Sequence, residues 1–414
     1  MHGSFVSQSS TVRRALCLAV AAVAAGSLAA CGSSASAGAN SATSGGGAGQ
    51  DGVTSTSIDI GTTTPLTGAA ASTCTPVNDG SQAWFKSVNA QGGINGRKIN
   101  DDVEDDQYTA PNALNNVRNF ITKPVLAVFG GCGSIQPPAI APVLKAAGVP
   151  YLFPLGASPD LNSDSDAYQD YPQYGQIFPS LVKHEMQEHG PGKLFVIAQT
   201  IPGSDQTLTG IQQATEAAGG TYVGADSPLS TQTDWNADAL KIKQDHVGYL
   251  VLILLAGQAT AVVNTLAAQN ALPTTEILGN ITEGSAAFLA AAGNTVKGKM
   301  VVAAATMAPS APNAAACVAA IKKYAPGTTV DTFSLWGCAS AQAFTTAVQA
   351  LGHNVTRSAL TQELASWHDK QASPALPALT YTDANDHSGI STFNVLALNQ
   401  SGELVQDTTL DLAK

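Results

Sequence analysis

From Asp51 onward the chain alternates short β-rich runs with helical runs of 10–15 residues, and that alternation most limits its fold. Strands are expected at Ser57–Thr62, Lys98–Val103, Val125–Phe129, Pro150–Phe153, Leu194–Gln199, Thr221–Ala225, Tyr249–Leu255, Glu276–Leu278 and Met300–Ala305. Helices are expected between them, at Asp79–Asn89, Asn112–Ile121, Pro138–Ala147, Gln206–Ala218, Trp235–Asp245, Thr260–Asn270 and Ser285–Ala292. Three more follow, at Ala314–Tyr324, Ala339–Leu351 and Arg357–Trp367. Strict β–α alternation with apolar strands predicts parallel sheets covered by helices on both faces. About 360 residues exceed a single comfortable core. The expected fold is therefore α/β, with two doubly wound parallel-sheet lobes, rather than one continuous ten-strand sheet. In open sheets of this kind ligands bind beyond the carboxyl ends of the strands, so function is sought just after each strand.

The N-terminus carries a different signal. Arg13 and Arg14 precede an apolar run, Ala15–Ala30, that ends Leu28-Ala29-Ala30 before Cys31. A basic start, a short apolar core and small residues at the cut make a secretory signal. The run is too short and weak to span a membrane. The Leu-Ala-Ala-Cys ending resembles the lipobox of bacterial lipoproteins, which implies cleavage after residue 30 and a diacylated Cys31. Residues 32–50 hold 16 Gly, Ser or Ala out of 19, a flexible tether with a reach of roughly 25 Å. The protein is thus expected outside the cytoplasm, lipid-anchored to the outer face of the cytoplasmic membrane.

A net charge of −11 argues against a nucleic-acid partner, which needs clustered Lys and Arg. Gly248–Ala256 (GYLVLILLA) is too short to cross a bilayer and reads as a buried strand. Apart from Cys17 in the signal and Cys31, four cysteines remain: Cys74, Cys132, Cys317 and Cys338. An even number in an oxidising compartment implies disulfides, with three connectivities open. Catalytic and metal motifs fail on spacing. His184 and His189 in HEMQEH lie five apart, about 140° around a helix, where a zinc pair needs four. The acidic run Asp101–Asp106 lacks the glycine of a calcium loop. No nucleophile elbow or phosphate-binding loop occurs, so no enzyme, cofactor or metal is expected.

At the strand ends stand Thr62–Gly68, Glu104-Asp105-Asp106, Gly130–Ser134 and Pro154–Ser158. Glycine-rich turns entering helices expose backbone N–H groups that suit a carboxylate or phosphate, and Ser134 and Ser158 add hydroxyls.

These features, with Val88–Ile99 (VNAQGGINGRKI), Pro65–Gly68, Gly148–Pro150 and Asp383–His387, resemble type I periplasmic binding proteins of the leucine/isoleucine/valine-binding group. Those are the amino-acid receptors of ABC importers, and the likeness runs from about Ser57 to Val405. The resemblance implies two lobes on a multi-strand hinge: 51–178 with 306–385, and 179–305 with 386–414. It implies that Gly133, Ser134, Ala157 and Ser158 hold a ligand carboxylate, that Glu283 takes an ammonium and that Trp336 supplies an aromatic wall. The family's second-lobe aromatics have no counterpart in Thr200–Ser204 and Leu255–Ala259, which points away from an ordinary branched-chain amino acid. Tyr174–Pro179 replaces the usual basic entry to that lobe. Placement after first-lobe strands pairs Cys74 with Cys132, and placement at the starts of successive helices pairs Cys317 with Cys338. The expected function is capture of an amino acid or related small zwitterion or carboxylate by hinge closure. A monomer would deliver it to an ABC permease. A ligand sensor signalling through a membrane partner is the alternative, and an α/β hydrolase a remote one.

Overall fold

The first sheet has the order β2 (Lys98–Asp105), β1 (Ser57–Thr64), β3 (Val128–Phe129), β4 (Tyr151–Leu152), β5 (Ala167–Tyr168), with every pair parallel. A computed structural model describes residues 51–156, 158–383 and 386–413. The stretch expected to be signal and tether, with Cys31, and the expected site residue Ala157 lie outside the described residues. Helices α1 (Ala71–Ala90), α2 (Ala110–Thr122) and α3 (Pro137–Ala146) connect the first four strands. Thr109 starts α2 by accepting the Asn112 N–H on its hydroxyl at 3.4 Å, leaving α2's apolar side, Ala113, Val117 and Phe120, against the sheet.

The second sheet runs β7 (Thr221–Asp226), β6 (Lys193–Ala198), β8 (Tyr249–Ile253), β9 (Glu276–Gly279), β10 (Met300–Ala304), all parallel, and then β11 (Thr392–Leu398) and β12 (Leu404–Asp411), both antiparallel. β8 is buried along its whole length, as its unbroken apolar sequence requires. Helices α4 (Tyr174–His189), α5 (Ser204–Ala217), α6 (Asn236–Asp245) and α7 (Ala256–Ala268) cover this sheet. The helix expected at Ser285–Ala292 is broken: single turns α8 (Ala286–Phe288) and α9 (Asn294–Val296) flank a π turn at Leu289–Gly293. The β11–β12 hairpin is a departure from the all-parallel expectation. A turn at Asn399–Glu403 with Gly402 at φ +81° permits the chain to reverse and pair with β10.

Helices α10 (Ala315–Tyr324), α11 (Thr332–Ala350) and α12 (Arg357–Ala365) return to the first lobe, where α10 and α11 pack on α1. Glycine sets that packing distance. A Cβ at Gly80 would meet the Ser334 carbonyl oxygen at 2.0 Å, and one at Gly337 the Val77 oxygen at 2.0 Å. The structure pairs Cys317 with Cys338, joining α10 to α11, and Cys74 with Cys132, joining α1 to the turn after β3.

The chain passes between sheets three times: between β5 and α4, after β10, and before β11. The crossings touch one another. Gln169 N–H donates to the His387 oxygen at 3.0 Å, and the Asn394 amide donates to the Ala305 oxygen at 3.2 Å. No helix among the described residues is long and apolar enough to cross a membrane.

Candidate functional site

Both sheets share one connectivity: each of orders 2-1-3-4-5 and 7-6-8-9-10 reverses direction beside its second strand. The crevice at such a reversal is the natural binding place. The two crevices lie face to face, between β1 and β3 in one sheet and β6 and β8 in the other. They enclose a cavity of about 60 Å³ lined from both lobes.

The first-lobe wall is the Cys132–Ser134 turn after β3, with Thr73 and Cys74 of α1, Tyr108 and Phe333. Gly156 allows the turns after β3 and β4 to meet. A Cβ there, at φ +146°, would lie 2.8 Å from the Gly133 backbone and 3.0 Å from the Ser134 hydroxyl oxygen. Asp106 fixes the turn from behind. Its carboxylate accepts the Tyr108 N–H at 2.8 Å, the Gln136 amide at 3.2 Å and the Thr63 hydroxyl at 3.1 Å. Burial lifts its pKa to about 6, against those three hydrogen bonds and with the Asp105 charge adding to the rise. Ser134 is buried, and its hydroxyl has no partner among the described residues.

The second-lobe wall is Gln199 and Ile201 after β6, Ile253–Leu255 after β8, and Asn280–Thr282 after β9. Tyr174, where α4 leaves the first crossing, closes one side. Burial raises the phenols of Tyr108 and Tyr174 above their ordinary pKa, so both stay neutral at the cavity wall. No Lys, Arg, His, Asp or Glu lines the cavity among the described residues.

The expected site residues divide. Gly133 and Ser134 line the cavity. Ser158 stands outside the lining, fully buried, its hydroxyl without a hydrogen-bond partner among the described residues. Trp336 is also fully buried, its indole N–H unpartnered, and the same helix presents Phe333, one turn earlier, to the cavity instead. Glu283 stands behind the Asn280–Thr282 rim. Its Oε2 accepts the Asn280 N–H at 2.8 Å, while the Asn280 side chain accepts the Thr282 N–H at 2.7 Å. This reciprocal cap holds the rim. Glu283 Oε1 is buried and has no partner among the described residues, and burial pushes the carboxyl well above the usual range. Tyr108, Tyr174, Thr73 and Phe333 carry no signal by residue type. Tyr108 alone stands where the strand-end rule searches, two residues past Asp106.

The lobes also meet beside the cavity. The Asp331 carboxylate accepts N–H groups from Ser334 at 2.8 Å, at the start of α11, and from Ala286 at 2.9 Å, at the start of α8. Thr332 donates its hydroxyl to the Ile281 oxygen at 2.9 Å. Hydrogen bonds to a carboxylate contribute about 1.5–3 kcal/mol each. Asp331→Ala is expected to lower the thermal midpoint and to loosen the closed form, read as a larger radius of gyration in solution scattering. Unchanged scattering with an unchanged midpoint would show this latch to be idle.

Among known proteins, the family model described as "Periplasmic binding protein" matches residues 57–403. No curated protein matches the chain. Solved structures share the fold at low identity. A fatty acid ABC transporter substrate-binding protein from Thermomonospora curvata superposes with a TM-score of 0.79 at 20% identity, covering 88% of this chain and 95% of its own. A solute-binding protein of an ABC transporter from R. palustris, in complex with benzoate, gives 0.75 at 18%, covering 86% and 98%. A leucine binding protein from Thermotoga maritima gives 0.74 at 15%, covering 86% and 99%.

Proposed function

Because the chain belongs to the periplasmic binding protein family, we propose that it is the exported solute receptor of an ABC importer, closing its lobes on a small carboxylate with an apolar body. The lining without charged side chains carries this reading. A carboxylate head would sit on the Gly133–Ser134 turn, taking the Ser134 hydroxyl and backbone N–H groups ahead of α3, with Tyr108 and Tyr174 as neutral donors. The body would pack on Ile201, Leu255 and Phe333. Parting of the lobes at the three crossings would admit the solute. Fatty acids, benzoate and leucine, for which the three solved relatives are named, all carry a carboxylate on an apolar body. The solute contacts both lobes, so it favours the closed state, which a permease would recognise.

One observation favours an amino acid as a second reading: the unpartnered Glu283 Oε1. An ammonium reaching past the Asn280–Thr282 rim would pair with it and draw its proton off. Calorimetry on a panel of simple carboxylates and amino acids separates the two. Ser134→Ala is expected to weaken either class about tenfold or more, the loss of one charge-assisted hydrogen bond. Glu283→Gln keeps the cap. It should leave a simple carboxylate within about twofold, and weaken an amino acid tenfold to a few hundredfold. Full affinity in Ser134→Ala would remove the head from this turn.

Attachment rests on Cys31. With two or three acyl chains the anchor would be stable where a single chain is marginal. Cys31→Ala is expected to release the protein from the membrane fraction with its thermal midpoint unchanged. A variant that still pellets with membranes after a carbonate wash would refute lipidation.

A further inference from the structure

The HEMQEH segment, rejected as a zinc motif because its histidines lie five apart, forms the last turns of α4. There it does something else. Glu185 and His189, four apart, share one face of the helix, and the start of β9 brings Glu276 against them. The His189 Nε2 lies 3.5 Å from Glu185 Oε2 and 3.6 Å from Glu276 Oε2. One ligand atom from each residue falls within 4.8 Å of the others. Four ligands held tetrahedrally at about 2.0–2.1 Å from a metal stand roughly 3.4 Å apart. The two distances from His189 are near the spacing such an ion requires, and the third pair lies within 4.8 Å.

The two carboxyl groups have little to balance them beyond each other and His189. The Glu185 side chain is 3% exposed, and among the described residues its Oε1 has no hydrogen-bond partner and Glu276 Oε2 has only the longer contact with His189. No lysine or arginine pairs with either one among the described residues. The other titratable groups facing them are His184, the Tyr249 phenol, which donates to the Gly190 oxygen at 2.6 Å, and Asp407 of β12. Two carboxyl groups packed together without a cation are costly unless one holds a proton or an ion lies between them.

We infer that Glu185, His189 and Glu276 form a zinc-type divalent metal site that fastens the end of α4 to the start of β9. One imidazole with two carboxylates suits zinc or a neighbouring first-row metal, whereas calcium and magnesium favour six or more oxygens. His189, half exposed, leaves the fourth position to water. Glu276 opens β9, whereas the cavity receives Asn280–Thr282 from that strand's other end, so the metal would brace the second lobe without touching the solute.

The test is a zinc titration of the untagged full chain, followed by calorimetry and by thermal melting, with magnesium as control. One zinc per chain is expected, with a rise in melting midpoint that magnesium at equal concentration does not give. His189→Ala and Glu276→Gln should each weaken zinc binding at least tenfold and remove that rise, while solute affinity stays the same. Both variants change a half-exposed ring or a near-isosteric group, so the fold should survive. Zinc binding of equal strength in wild type and both variants would place the metal elsewhere. The absence of a single stoichiometric zinc would overturn the site.

Discussion

Stability is expected to fall as pH rises from about 5 to about 8, the reverse of the usual behaviour of a protein rich in paired carboxylates. Asp170 dominates. It is fully buried in the crossing after β5, where Ser340 donates a hydroxyl to its Oδ2 at 2.6 Å while Oδ1 has no hydrogen-bond partner among the described residues. Burial lifts its pKa from 3.8 to about 8, and the Ser340 hydrogen bond only partly offsets this. A carboxyl whose folded pKa is raised holds more protons folded than unfolded throughout that interval. Its contribution is complete below pH 3.8 and is lost as pH rises through about 8. At about 1.4 kcal/mol per pKa step, Asp170 alone accounts for a change on the order of 5 kcal/mol. Glu185, Asp101 at about 7 and Asp106 at about 6 act in the same direction. Melting in matched-ionic-strength buffers should show the midpoint dropping by roughly 5–10 °C between pH 5 and 8. Asp170→Asn keeps an acceptor for Ser340 and removes the titration. It should flatten part of the slope, about a third, and exceed wild type in stability at pH 8. A variant less stable than wild type at pH 8, with the slope intact, would mean that Asp170 is ionised in the fold.

The sequence announces the sheets but not the walls of the cleft. A run such as Tyr249–Ile253, apolar at every position, has only one home, the middle of a parallel sheet. Glycine-rich turns after β3 and β4 are equally plain, because only glycine tolerates the approach that Gly133 and Gly156 make. The two-residue strand β5 is too short to carry a pattern. The β11–β12 hairpin was legible in principle from the Ser401-Gly402 turn between two extended runs, but its place beside β10 depends on a crossing that no local rule encodes. The same limit governs the site. Tyr108 and Tyr174 reach the cavity from a loop and a crossing, so their convergence depends on how the lobes meet. Phe333 and Trp336 differ by one helical turn, and whichever faces the solute is set by the close α1–α11 contact at Gly80 and Gly337. Glu283 shows why residue type underdetermines role: one oxygen of a single carboxyl caps a rim while the other stays unpaired.

The two disulfides should separate stability from binding. Cys74–Cys132 and Cys317–Cys338 have Cα–Cα distances of 5.6 and 5.7 Å and sequence separations of 58 and 21 residues. In the loop-entropy model, loss of each costs about 4 and about 3 kcal/mol respectively, as upper values. Their places differ more than their energies. Cys74 and Cys132 both line the cavity, and their bond ties α1 to the turn that presents Gly133 and Ser134. Cys317 and Cys338 are buried between α10 and α11, away from the lining. Replacing the first pair by serine frees a turn that must be ordered again when solute binds, so affinity should fall at least tenfold along with the melting midpoint. Replacing the second pair should lower the midpoint by a comparable amount and leave affinity within about twofold. Melting and calorimetry on the two double variants decide the matter, after non-reducing peptide mapping of wild type has confirmed both bonds. Equal losses of affinity in the two variants would show that binding merely follows global stability. No loss in the first would mean that Asp106, through Tyr108 and Gln136, holds the Gly133–Ser134 turn without help from the disulfide.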